Sequence, residues 1–200
     1  MISRESRNSL QRREATVEDA VFLRTLFMLT KAADFSGPAW SPAERESLLG
    51  WQFEARERAY RAQFPSAQRW ILVQKNESIG RLLLGLGSSA MRIVDIAVLP
   101  SKQRRGVGSQ VLEEVIGDAS KLGIPVRLMV ELRNPARLLY ERLGFHEVTC
   151  DGVHASMEWN TQAGGNDCAT GGELEQCESG IRSSGTVGSP SKRPGKTQWA

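Results

Sequence analysis

A glycine-bearing turn, Gln103-Arg104-Arg105-Gly106-Val107-Gly108, joins an apolar run that stops at Pro100 to a run of helical periodicity that starts near Gly106. That junction has the makings of an anion site. The first-turn N–H groups of a helix lack intrahelical partners, the helix dipole adds partial positive charge, and glycines admit a ligand where a Cβ would obstruct it. Lys102, Arg104 and Arg105 bring formal charge to the same place, and each charge-assisted bond contributes about 1.5–3 kcal/mol. A diphosphate fits this description. So does a tight turn edged by solvated basic residues, and the glycine pattern alone does not separate the two.

Two other phosphate motifs fail. The spacing Gly85, Gly87, Ala90 matches a dinucleotide fingerprint but runs into an apolar strand instead of a helix, so its required context is missing. No nucleotide triphosphatase loop, Gly-x-x-x-x-Gly-Lys-Ser/Thr, occurs anywhere.

The elements that must position this turn can be read from pattern. Residues 10–15 read as a short strand, and Thr16 with Asp19 starts a helix over 17–30. Ser41, Pro42 and Glu44 form a capping box that opens a long helix to about Gln63, with Leu48, Trp51, Ala55 and Ala59 at helical spacing. Three strand-like runs follow, over 69–74, 78–86 and 92–99, separated by turns at Lys75-Asn76 and around Gly87-Ser88-Ser89; they predict an antiparallel meander. Val107, Val111, Leu112, Val115, Ile116 and Ala119 then share one face of a helix that Gly123 ends. An apolar strand over 125–132, a helix capped by Asn134-Pro135 and ended by Gly144, and a hairpin around Asp151-Gly152 close the order βααβββαβαββ. This is an α+β chain: a mixed, mostly antiparallel sheet flanked by helices.

Composition sets the limits. Two hundred residues with 40% hydrophobic and 24% charged side chains suit one soluble domain with an appendage. No run approaches the roughly 18 apolar residues of a membrane helix, and the start lacks the apolar centre of a signal peptide, so the chain is expected in the cytoplasm, away from membranes. Cys150, Cys168 and Cys177 are too few to staple a framework. A formal charge of +3 does not hold a polyanion by itself, and the basic start Arg4, Arg7, Arg12 and Arg13 reads as solvated, so no nucleic-acid partner is expected. Over 161–200 eight glycines accompany only Leu174, Ile181, Val187 and Trp199 as large apolar groups, which predicts a disordered tail after a folded domain over 1–160. The spacing of Cys168 and Cys177, without a nearby histidine, gives no metal site.

The conjunction of VDIAVLPSKQRRGVGSQVL with NPARLLYERLGF resembles the Gcn5-related N-acetyltransferases, the GNAT superfamily, in its Gln/Arg-x-x-Gly-x-Gly/Ala loop and in the later Asn…Tyr helix ending in Leu-Gly-Phe. The resemblance covers residues 10–160. It implies that acetyl-CoA lies along the fourth strand, with backbone groups around Ile96, Ala97 and Val98 bonding the pantetheine arm as an added strand would. Gln103, Arg104, Arg105, Gly106, Val107, Gly108 and Ser109 would hold the diphosphate, and a bulge plus divergence from the next strand would open the cleft.

The implied chemistry is acyl transfer from sulfur to nitrogen. An amine is mostly protonated at neutral pH, so a base must take a proton, and Asp95 and Glu131 are the carboxylates expected near the cleft. A backbone N–H near Ala97 or Val98 would face the developing oxyanion. Tyr140, in the family's tyrosine position, would protonate the leaving thiolate, and Asn134 would touch the donor while capping its helix. His146 and His154 read as structural, and Met91, Met129 and Met157 as packing. Phe35, Trp40, Trp51, Phe53, Tyr60 and Phe64, with 154–159 opposite, stand where the family builds its acceptor pocket, although at helical spacing they read equally as core. The acceptor is a small-molecule or peptide amine, and a homodimer is compatible with this reading. The alternative is a catalytically silent acyl-CoA-binding module that works through a protein partner.

Overall fold

The computed structural model describes residues 10–32 and 41–161. In chain order the elements are β1 (Gln11–Glu14), α1 (Ala20–Lys31), α2 (Pro42–Gln63), β2 (Gln68–Gln74), β3 (Glu77–Leu86), β4 (Met91–Val98), α3 (Val107–Leu122), β5 (Val126–Glu131), α4 (Arg137–Arg142), β6 (His146–Cys150) and β7 (His154–Trp159). The succession is the one the sequence pattern predicts. The tail beyond residue 161, with Cys168 and Cys177, lies outside the described residues, as do Arg4, Arg7, Phe35 and Trp40.

The strands form one sheet in the order β1-β2-β3-β4-β5-β7-β6. Every neighbouring pair is antiparallel except β4 and β5, which are parallel because α3 carries the chain over the sheet between them. Val111, Leu112, Val115 and Ala119 of α3 pack with Leu82, Met91, Ile93, Val126, Leu128, Ala155 and Met157 into the main core on one face. On the opposite face Tyr60 of α2 packs on Leu83 and Val94, with α1 alongside. Two layers of helix therefore sandwich the sheet.

Local chemistry fixes the ends. Ser41 and Glu44 cap α2 reciprocally, and the Asp19 carboxylate accepts from the Thr16 N–H at 2.8 Å while binding Arg13 through both oxygens. α1 therefore starts at Ala20, after a short 3₁₀ turn over Val17–Asp19. The Lys75-Asn76 turn has both residues at positive φ, 52° and 64°, as a tight hairpin requires. The inward face of α2 differs from the expected one. Trp51 is 63% exposed, and the buried stripe runs through Leu49, Gly50 and Tyr60. It is rotated because Arg56 and Glu57, which spacing alone assigns to solvent, reach inward to partners on β3 and β4.

Candidate active site

β4 is the strand at which the two halves of the sheet part. It pairs with β5 only at Met91–Val126, Arg92–Arg127 and Ile93–Leu128. Toward β3 the ladder continues, but Leu83 faces Asp95 and Leu84 faces Ile93, which leaves Val94 as an extra residue and makes a bulge. Beyond it the Leu99 N–H donates to the Ile79 carbonyl at 2.8 Å. By alternation, the backbone groups of Asp95 and Ala97 turn to β3, and those of Ile96 and Val98 turn to the side β5 has left. Ile96 and Val98 thus lie on an edge without a neighbouring strand, where the Val98 carbonyl is met by the Gln103 side chain, whereas the Ala97 backbone is engaged opposite Arg81.

The glycine turn stands at the end of this edge. Gly106 precedes α3 with φ +82°, and Arg104 also lies in the left-handed region at φ 54°. The first intrahelical bond runs from the Gln110 N–H to the Gly106 carbonyl at 3.0 Å, so the N–H groups of Val107, Gly108 and Ser109 precede the ladder. A Cβ on Gly106 would meet nothing within 4 Å, so that position faces open space. Gly108 instead serves packing: a Cβ there would come within 3.3 Å of Leu139, so its small size lets α4 lie against the start of α3. The Gln103 side chain turns back to the strand, its Nε2 donating to the Val98 carbonyl at 2.9 Å. Lys102 pairs with Glu77, while Arg104 and Arg105 are exposed without an ion-pair partner among the described residues. Free amides, an unobstructed glycine and two unneutralised guanidiniums fit a diphosphate.

Tyr140 lies on α4, 7% exposed, with its ring edge-on to Phe145 at 5.9 Å. Burial pushes its hydroxyl up to about 12, and the negative charge of Asp95 pushes in the same direction. Glu131 ends β5, half-buried and opposite His154 of β7, and has no ion-pair partner among the described residues. The Asn134 Oδ1 accepts from the Ala136 N–H at 2.9 Å, so the side chain caps the turn that leads into α4.

Asp95 has different surroundings. It is buried on the α2 face, with its Oδ2 3.0 Å from the Arg81 Nε and 3.6 Å from the Arg56 Nη2. Arg81, itself buried, also binds Glu57, and Arg56 lies over the Phe27 ring at 4.5 Å. Two arginines and two acids thus form a partly buried quartet of balanced formal charge joining α2 to β3 and β4. Of the residues expected near an acceptor, Tyr60 is fully buried and serves the core, and Phe53, half-buried, meets the Phe27 ring at a tilt with 5.7 Å between centroids. Sequence reasoning missed Arg56, Glu57, Arg81 and the Gln103 side chain. A signal existed for Arg81, a lone charge inside the apolar run of 79–84.

A sheet that parts beside a helix start with free amides is an arrangement that an extended, phosphate-bearing ligand would fit edge-on. The acetyltransferase (GNAT) domain family matches residues 42–159, and the chain belongs to that family. The [ribosomal protein bS18]-alanine N-acetyltransferase of Haemophilus influenzae is 34% identical over 79 residues, 38% of this chain and 53% of that protein. The chain thus spans about half the length of the curated relative it matches. Among solved structures, the PaiA N-acetyltransferase of Thermoplasma acidophilum, in complex with coenzyme A, aligns with a TM-score of 0.59 at 20% identity, covering 76% of this chain and 99% of that one. The ribosomal-protein-S18-alanine N-acetyltransferase of Escherichia coli aligns with a TM-score of 0.52 at 21% identity, covering 81% and 100%. These structural likenesses carry the fold.

Proposed function

We propose that this chain transfers an acetyl group from acetyl-CoA to a primary amine by direct attack in a ternary complex. The observation that carries the reading is the edge of Ile96 and Val98, left without a strand partner where β5 departs and ending at the free amides of Val107, Gly108 and Ser109. The donor supplies an activated acyl group as a thioester. The backbone of Ile96 holds its arm, the amides of 106–109 with Arg104 and Arg105 hold its diphosphate, and Asn134 borders the cleft from the start of the α4 turn.

Glu131 takes the ammonium proton, through a water, so that the amine nitrogen can bond to the acyl carbon. It is preferred to Asp95 because no arginine claims its carboxylate. The Val98 N–H donates to the carbonyl oxygen as charge develops there. As the carbon–sulfur bond breaks, Tyr140 gives its proton to the sulfur and the attacking nitrogen releases its second proton to water, after which Tyr140 regains a proton from solvent. Its hydroxyl, held up to about 12, keeps that proton at any physiological pH. The acceptor is a peptide α-amine in preference to a small polyamine, a choice supported by the bS18-alanine activity in the name of the relative in Haemophilus influenzae. Among the described residues no helix is long and apolar enough to cross a membrane.

The test is thiol release from acetyl-CoA with a panel of peptides and small amines. Release with alanine-starting peptides, lost in Tyr140→Phe and Glu131→Gln, is expected. Tight CoA binding without release for any amine would favour the silent acyl-CoA-binding module instead.

A further inference from the structure

Asp95 is an acidic residue in the middle of an apolar strand, where a charge without a partner is costly. A regular strand would put Met91, Ile93 and Asp95 on one face, and that face is the main core under α3, where Met91 and Ile93 are buried. The extra residue at Val94 reverses the phase. Asp95 then shares the face of Val94, where Arg81 and Arg56 wait, and Ile96 and Val98 turn to the α3 core instead. The same reversal brings the backbone groups of Ile96 and Val98 to the open side, just beyond Ile93, where pairing with β5 stops.

We infer that Asp95 is a positioning residue: its carboxylate, claimed by Arg81 and Arg56, selects the bulged register of β4 and so holds open the cleft that receives the donor. A strand register is set by which face each side chain must occupy, and a slip of one residue would carry this charge into an apolar layer. Glu57 completes the clamp by fixing Arg81 from α2, so the acceptor-side helix and the donor strand are tied at one point. The charge of Asp95 is also felt at Tyr140. The inference rests on the transferase reading only for the identity of the donor.

The test compares Asp95→Asn, which stays polar and keeps its preference for the arginine face, with Asp95→Val, which removes it. CoA affinity is measured by calorimetry on folded protein, beside thermal melting, KM for acetyl-CoA and kcat. Expected is CoA affinity within about threefold of the unaltered chain for Asp95→Asn and a loss of more than about tenfold for Asp95→Val, carried by KM more than by kcat. A residue that merely stabilised the fold would lower the melting temperature and leave the affinity of the folded protein unchanged. That result in Asp95→Val overturns the inference. If Asp95→Val does not fold, the charge-balanced Arg81→Gln, Asp95→Val pair is read the same way; failure of both to fold denies two folded registers and also overturns it. Lack of CoA binding by the unaltered chain would strike the donor assignment itself. The register claim is then judged by amide exchange at Ile96 and Val98, expected to slow in Asp95→Val and contradicted by no change.

Discussion

The side-chain amide of Gln103 donates to the backbone carbonyl of Val98 at 2.9 Å, so the glycine turn proposed to hold the diphosphate is fastened to the strand edge proposed to receive the rest of the donor. Gln103→Ala cuts that tie and leaves a half-buried carbonyl unpaired, a loss of about 1 kcal/mol. CoA affinity should fall about fivefold in a calorimetric titration, with little change in kcat. Unchanged affinity would show that turn and strand hold their positions independently.

Tyr140→Phe keeps the ring against Phe145 and removes only the hydroxyl. At pH 7 kcat should drop by about 10²–10⁴-fold while KM for acetyl-CoA and the melting temperature stay near their original values. A variant as active as the parent would remove Tyr140 from the reaction.

The same hydroxyl makes the fold sensitive to alkali. Its value rises from 10.0 to about 12 through burial first and the Asp95 charge second, and burial raises Tyr60 as well. Above pH 10 the unfolded chain ionises while the folded one does not. Stability is therefore full below pH 10 and declines as pH rises toward about 12. Because the chain has only these two tyrosines, the Tyr60→Phe, Tyr140→Phe double variant should unfold less steeply in that window, as followed by circular dichroism.

At the acid end the sign is opposite. Hydrogen bonding from Arg13 holds Asp19 at about 2, below its usual 3.8. The stability it gives is present above pH 3.8 and disappears as pH falls through about 2. Asp19→Asn should cost about 1–2 kcal/mol at neutral pH, discounted because Arg13 is half-exposed, and the gap to the parent should close near the bottom of an acid titration.

Two glycines separate a conformational role from a steric one. Gly106→Ala enters open space and costs only the left-handed strain, about 1 kcal/mol, with weaker CoA binding as its main effect. At Gly80 a Cβ would lie 2.4 Å from the Ala97 carbonyl oxygen, directly beneath the cleft strand. Gly80→Ala should destabilise by about 1–3 kcal/mol, and urea melts of the two variants would distinguish these costs.

By itself, the amino-acid sequence determined the order of elements, the glycine turn at Gly106 that opens α3, and the family likeness carried by that turn together with Asn134 and Tyr140. These signals are local: hydrophobic period, caps and glycine positions are written within a few residues of where they act. Even the bulge left a trace in the spacing of Met91, Ile93, Ile96 and Val98. Which partners the charges would choose was decided only by the tertiary structure. Arg56 and Glu57 lie far along the chain from Arg81 and Asp95, and only the docking of α2 on the sheet brings them together. The divergence of β5 from β4 is likewise a relation between strands that α3 joins across the sheet, and pairing between separate strands has no signature inside either one.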